Sequence, residues 1–118
     1  MISMIRELIE KNYIQCQNFD KLDMRVGQII EAEKVEKSNK LLKIQVDLGF
    51  EKKQIVSCIA KSVRPQKLIG KKVIVVANLK PAKLMGIESQ GMILACGEQD
   101  DDLEIPFIKD KEIGSIVS

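Results

Sequence analysis

Apolar residues recur at two different periods along this chain, and the change of period divides it. Over residues 1–14, Ile2, Ile5, Leu8 and Ile9 fall on one face at 3–4 spacing, with Met1, Met4 and Tyr13 beside it. Ser3, Arg6, Glu7 and Glu10 take the other face. That pattern predicts an amphipathic helix. A polar connector follows over residues 15–18. From Phe19 the pattern turns to strands. Met24, Val26, Ile29, Ile30, Ala32 and Val35 make a long run interrupted by Gly27, a glycine that lets a first strand bend and serve two sides of a small barrel. Leu42, Ile44, Val46 and Leu48 alternate with Lys43, Gln45 and Asp47, the clearest period of two in the chain.

Residues 49–53 read as a hairpin turn and residues 54–59 as a third strand. The strand pattern breaks over residues 60–70. There Arg64 should be extended before Pro65, Pro65 should open a helical turn through Leu68, and Gly70 should close it. Residues 72–79 contain the run Val73-Ile74-Val75-Val76-Ala77, a fourth strand buried on both faces. Residues 80–91 read as a loop with Pro81, Gly86 and Gly91, residues 92–96 as a fifth strand, and residues 103–108 as an added edge strand marked by Pro106. Three strands, a short helix and two further strands is the order of an OB-fold. We therefore expect an all-β, five-stranded OB-fold barrel with an N-terminal α-helix, a short helix between strands 3 and 4, and a C-terminal extension.

Composition narrows the chemistry. With 118 residues the chain fits one domain and can bury a core without staples. No apolar run reaches the ~20 residues of a membrane span, and residues 1–12 carry too many charges for a secretory signal. A cytoplasmic protein is expected. Cys16, Cys58 and Cys96 are odd in number and lack Cys-x-x-Cys spacing, so neither a disulfide framework nor a metal site is expected. Cys58 and Cys96 read as small core residues. There is no histidine, which removes Ser-His-Asp and Cys-His catalysis. Asp100-Asp101-Asp102 reads as a solvated turn without a catalytic partner. We expect no enzyme activity and no cofactor.

The net charge of +2 conceals an internal asymmetry. Residues 34–83 hold thirteen lysines and arginines against three acids, whereas residues 84–118 hold eight acids against two lysines. A basic block suits a polyanion partner. Lysines also solvate the outer faces of strands, and charge alone leaves both readings open.

Three stretches resemble the tRNA-binding domain family, the OB-fold module of stand-alone tRNA-binding proteins and of methionyl-tRNA synthetase C-terminal domains. They are residues 19–27 (Phe-Asp-Lys-Leu-Asp-Met-Arg-Val-Gly), residues 39–49 (Asn-Lys-Leu-Leu-Lys-Ile-Gln-Val-Asp-Leu-Gly) and the ungapped residues 76–94, with Asn78-Leu79-Lys80-Pro81 and Ser89-Gln90-Gly91-Met92 inside it. Cys58 departs from an expected glycine, and Met85 from an arginine common in relatives. The resemblance implies tRNA as partner, bound without sequence readout, no catalysis, a homodimer, and an aminoacyl-tRNA synthetase as a possible associate. Residues 1–18 would then serve dimerisation and residues 19–118 would form the tRNA-binding barrel. The tRNA site is expected at Lys40, Lys43, Lys61, Asn78, Lys80, Lys83, Met85, Ser89, Gln90 and Met92. Strands two and three and the strand 4–5 loop line the cleft of such a barrel. There the lysines would release counterions, and Asn78, Ser89 and Gln90 would hydrogen-bond phosphate, ribose or an unpaired base. A chaperone-like member of the same superfamily, binding unfolded polypeptide, is the alternative. With no tryptophan, one tyrosine and three phenylalanines, the chain offers little for stacking single strands.

Overall fold

The computed structural model describes residues 13–118. The N-terminal helix expected from the sequence falls on residues 1–14 and thus lies outside the described residues, save for Tyr13 and Ile14, which are exposed and carry no regular structure. Where a polar connector was expected there is instead one helical turn, α1 (Cys16–Asp20), closed by Leu22 N–H donating to the Phe19 carbonyl at 3.0 Å. It buries none of its residues, so no apolar period announces it.

The barrel is organised by β1 (Met24–Lys34), 11 residues long. Its residues 24–28 pair antiparallel with β4 (Lys72–Val76), and its residues 28–34 pair antiparallel with β2 (Leu42–Asp47). Gln28 belongs to both ladders, opposite Asp47 on one side and Lys72 on the other. The register slips between Ile29 and Glu31, so the irregularity falls at Ile30 and not at Gly27. Gly27 answers a different need. A Cβ there would collide with Val46 Cγ1 and lie 3.0 Å from both Leu48 Cδ2 and Val75 Cγ2. The glycine allows the strand to cross close above the interior side chains.

β2 alternates as the sequence predicts, with Leu42, Ile44 and Val46 buried and Lys43, Gln45 and Asp47 half-buried. A turn through Gly49, with φ +90°, leads into β3 (Lys52–Ser57), which begins two residues earlier than expected and pairs with β2 along its whole length. α2 (Pro65–Leu68) forms where predicted: Arg64 is extended, Pro65 and Leu68 are buried, and Gly70 has φ +87°. Leu68 joins Ile29, Leu42, Ile44, Val46, Leu48, Ile55, Val73 and Val75 in the main core, all of them at 0% exposure. β4 is covered less completely than its apolar run suggests, because Ile74 is only half-buried.

The second half of the chain departs further from its pattern. Residues 80–91 hold a two-stranded hairpin, β5 (Ala82–Leu84) and β6 (Ile87–Ser89). The fifth barrel strand shrinks to β7 (Met92–Ile93), paired with Val75 and Val76 of β4. Residues 103–108 make no strand. Glu104 bridges Cys96, Ile105 is buried, and Ile108 N–H donates to the Lys72 carbonyl at 2.9 Å. The C-terminal strand is β8 (Ile116–Val117), which returns to pair with Met24 and Arg25. All three cysteines are exposed, which corrects the core reading of Cys58 and Cys96: beyond β3 the chain turns Ile59 inward and Cys58 outward. The strand path is β3-β2-β1-β4-β7, a nearly closed antiparallel barrel of the OB type. No helix among the described residues is long and apolar enough to cross a membrane.

Candidate nucleic-acid interface

The edge between β3 and the chain after β5 is closed by side chains. Gln54 N–H donates to Gln90 Oε1 at 2.9 Å, and Gln90 N–H donates back to the Gln54 carbonyl at 2.7 Å. Gln54 Nε2 donates to the Glu88 carbonyl at 2.8 Å. The Ser89 hydroxyl accepts from the buried Val56 N–H at 3.0 Å and donates to the Gly91 carbonyl at 3.1 Å. Gly91 completes the seam, since a Cβ there would meet the Val76 carbonyl oxygen at 2.8 Å. Backbone groups of a barrel edge must find partners, and here Ser89 and Gln90 supply them in place of a regular ladder.

That seam fixes where the hairpin lies. Ile87 packs on a second small core of Val35, Leu41 and Val56, so β6 is seated over β3 and beside the β1–β2 loop. The hairpin turn is Met85-Gly86, with φ of 52° and 78°, the paired positive values of a type I′ turn. Its tip projects, leaving Met85 59% exposed. At the other end of the loop, Asn78 Oδ1 accepts the Asp23 N–H at 2.8 Å and Asn78 Nδ2 donates to the Lys21 carbonyl at 2.7 Å. Asn78 thereby ties the chain leaving β4 to the segment entering β1.

Asn78, Ser89 and Gln90 therefore all hold the fold together. For Ser89, 7% exposed, both roles of the hydroxyl are occupied within the chain. Asn78 is exposed and keeps one amide hydrogen and one lone pair beyond its two bonds.

The charged candidates sit outside this seam. Lys43 is half-buried on β2, with its Nζ 2.9 Å from Glu33 Oε1. With Lys34, Lys37, Met85 and Ile87 it lines a groove of about 410 Å³ between the end of β1 and the hairpin. Lys40 is exposed in the β1–β2 loop, where its carbonyl accepts the Ala60 N–H at 3.0 Å. Lys80 and Lys83 are exposed on the hairpin's leading arm, and Lys83 is paired across the hairpin with Glu88. Met92 is 52% exposed on β7. Lys61 differs: it lines a separate depression with Glu98, Gln99, Asp100 and Asp101, among carboxylates. Lys34 and Lys37 belong to the groove and escaped sequence reasoning. They stand in the basic block, but only the docking of Ile87 shows that the hairpin covers their end of β1.

Among the described residues none that lines the groove is aromatic. Phe50 lies under the Arg25 guanidinium at 5.6 Å and Phe107 under the Lys71 ammonium at 5.5 Å, both away from it. Among the described residues no group of three or more His, Cys, Asp or Glu could hold a metal ion.

A family model described as "Putative tRNA binding domain" matches residues 24–115, which runs from the first residue of β1 to just before β8. The chain belongs to this family. Its relatives include a methionine–tRNA ligase of Thermotoga maritima, 57% identical over 91 residues, covering 77% of this chain but 14% of that enzyme. The match to such ligases thus concerns a small part of their length. Among solved structures, a MetRS-related protein from Pyrococcus horikoshii superposes with a TM-score of 0.86 at 37% identity, over 92% of this chain and all of that one. A CsaA chaperone protein from Picrophilus torridus superposes with a TM-score of 0.81 at 25% identity, over 90% of this chain and all of that one. The family is thus one of binding modules.

Proposed function

We propose that this tRNA-binding domain holds folded tRNA by its backbone, without catalysis, and serves methionyl-tRNA synthetase either as a separate protein or as its C-terminal part, in the cytoplasm. The observation that carries the reading is the seating of the β5–β6 hairpin, which places Met85 in one groove with Lys43, Lys34 and Lys37, and Lys83 two residues from the tip. Lys40, Lys43, Lys80 and Lys83 supply attraction that ignores sequence. The Lys43–Glu33 pair is partly exposed and worth within about 1 kcal/mol, so a phosphate can replace the carboxylate at little cost. The exposed side chains of Met85 and Met92 pack on ribose or base, and Asn78 keeps capacity for one further contact. Lys61, set among acids, contributes least.

The absence of an aromatic platform favours a structured RNA, read by shape and charge, over a single strand. The domain acts as a homodimer through residues 1–18 and the segment after Glu98. Support comes from Ile116, 71% exposed on the two-residue strand β8, and from Phe50, 61% exposed nearby on the β2–β3 turn.

Filter binding of total tRNA, duplex RNA and single-stranded DNA over a salt series tests the proposal. Four lysine–phosphate contacts give a slope of log K on log salt of about −3, a loss on the order of 60-fold between 50 and 200 mM. Lys43→Glu and Lys83→Glu should each weaken tRNA binding while leaving the barrel folded. Flat affinity across salt, or unchanged affinity in both variants, refutes it. Similarity to a CsaA chaperone protein supports a second reading, the binding of unfolded polypeptide. Unfolded peptide that displaces tRNA at comparable concentration favours that reading.

A further inference from the structure

The groove under the hairpin does not end at β1. A second and larger groove, about 650 Å³, adjoins it and shares Glu33 and Lys34 with it. Its far wall is Arg64, Pro65, Gln66 and Lys67, the start and body of α2. We infer that one RNA-backbone track runs from the hairpin tip across the end of β1 to helix α2, with Lys34, Arg64 and Lys67 as phosphate contacts beyond the barrel cleft. This rests on the tRNA reading above and extends it to a second stretch of the same folded RNA.

Three observations converge on that track. The first is charge: among the described residues the joined grooves are lined by Lys34, Lys37, Lys43, Arg64 and Lys67 against Glu33 and Glu36. The second is preorganisation. α2 is pinned by the burial of Pro65 and Leu68, while Arg64, Gln66 and Lys67 stay at least partly exposed. Arg64 is held extended by the proline that follows it, at φ −74° and ψ 140°, so its backbone is set before any ligand arrives. A planar guanidinium on such a base can take two phosphate oxygens at once. The third is the position of Glu33. Its carboxylate stands where the two grooves meet and is 2.9 Å from Lys43 Nζ. It opposes any anion on the track and occupies a cation the anion would use.

A single-strand contact or a protein ligand would call for aromatic or apolar lining. Among the described residues the α2 groove has only Pro65 and Ala32 of that kind, and Pro65 is itself buried. A phosphodiester backbone is the ligand class that fits.

The test uses the full chain, tRNA and a salt series, with four proteins. Wild type sets the reference slope, which the three added contacts steepen from the about −3 of the four barrel lysines to about −5.5. The triple variant Lys34→Gln/Arg64→Gln/Lys67→Gln removes three proposed contacts. The control Lys71→Gln/Lys109→Gln/Lys111→Gln removes the same charge elsewhere; Lys71 and Lys109 line a third groove that shares no residue with the track. Glu33→Gln removes the opposing carboxylate. At 0.1 M salt each lost contact weakens binding by about 6-fold and flattens the slope by about 0.8. The triple variant should therefore bind on the order of 200-fold more weakly, with a slope shallower by about 2.4. The control should keep the reference slope, and Glu33→Gln should bind several-fold more tightly.

A triple variant with the wild-type slope overturns the track, as does a control that loses as much as the triple variant or a Glu33→Gln that binds no tighter. In those cases tRNA binding by wild type, and its loss in Lys43→Glu and Lys83→Glu, leave the proposed function intact. Wild type that binds no tRNA overturns both.

Discussion

Replacing Ser89 with alanine removes one oxygen atom and leaves two backbone groups without their partner. The Val56 N–H is buried and has the Ser89 hydroxyl as its acceptor at 3.0 Å. The Gly91 carbonyl receives the same hydroxyl at 3.1 Å, at a partly buried site that water can reach. A buried amide left unsatisfied costs about 1–3 kcal/mol, and the carbonyl adds a smaller amount, so the expected loss is about 2 kcal/mol. At about 4 °C per kcal/mol for a domain of this size, Tm should fall by about 8 °C. With a urea m-value of about 2 kcal/mol/M the midpoint should move down by about 1 M. Thermal and urea unfolding followed by circular dichroism read both numbers. tRNA affinity, measured well below the new Tm, should change little, because the hydroxyl faces into the seam. Undiminished stability together with a large loss of affinity would falsify the seam account and return Ser89 to the ligand.

Gly27→Ala should destabilise the barrel by about 3 kcal/mol, the upper end of overpacking costs, since its methyl meets Val46, Leu48 and Val75 together; urea unfolding that shows less than about 1 kcal/mol counts against it. Met85→Asn should stabilise the chain by about 1 kcal/mol, because φ 52° suits asparagine in a type I′ turn and strains methionine; an unchanged or lower Tm speaks against strain at that turn. Sedimentation at micromolar concentration should give a dimer that Ile116→Asp weakens, and a wild-type monomer ends the dimer proposal.

Local periodicity is legible in the sequence, whereas contacts between distant segments are not. The alternation of Leu42, Ile44 and Val46 reads directly as β2 because one face of that strand is buried and the other is not. The turn at Arg64-Pro65 is equally readable, since proline restricts its own backbone and its neighbour's. The hairpin at Met85-Gly86 is not, because its turn lacks the Asn-Gly or Asp-Gly pair that marks type I′. The Ile30 bulge also leaves no trace, as the run around Gly27 offers a more obvious place to bend. In the site, the lysines were readable as a basic block. Their grouping was not, because the docking of Ile87 on Val35, Leu41 and Val56 decides which of them face the groove. Asn78, Ser89 and Gln90 could be singled out as important from residues alone. Whether they serve ligand or fold depends on Asp23, Val56 and Gln54, far away in sequence.

Fold and site here share one set of bonds, and that has a thermodynamic consequence. The arm bearing Lys83 and Met85 is held to the barrel by the Gln54, Ser89 and Gln90 bonds and by Ile87, so opening the seam also moves those side chains away from Lys43. A tRNA that spans hairpin and groove binds the closed form alone. By mass action it should add about 2.7 kcal/mol of stability at a hundred times its Kd. The increment should persist in Ser89→Ala, whose groove is intact once folded, and should shrink in Lys43→Glu, whose seam is intact but whose charge is reversed. A contact within the seam would give the opposite ranking. Unfolding the two variants with and without tRNA therefore separates the bonds that build the surface from the charges that use it.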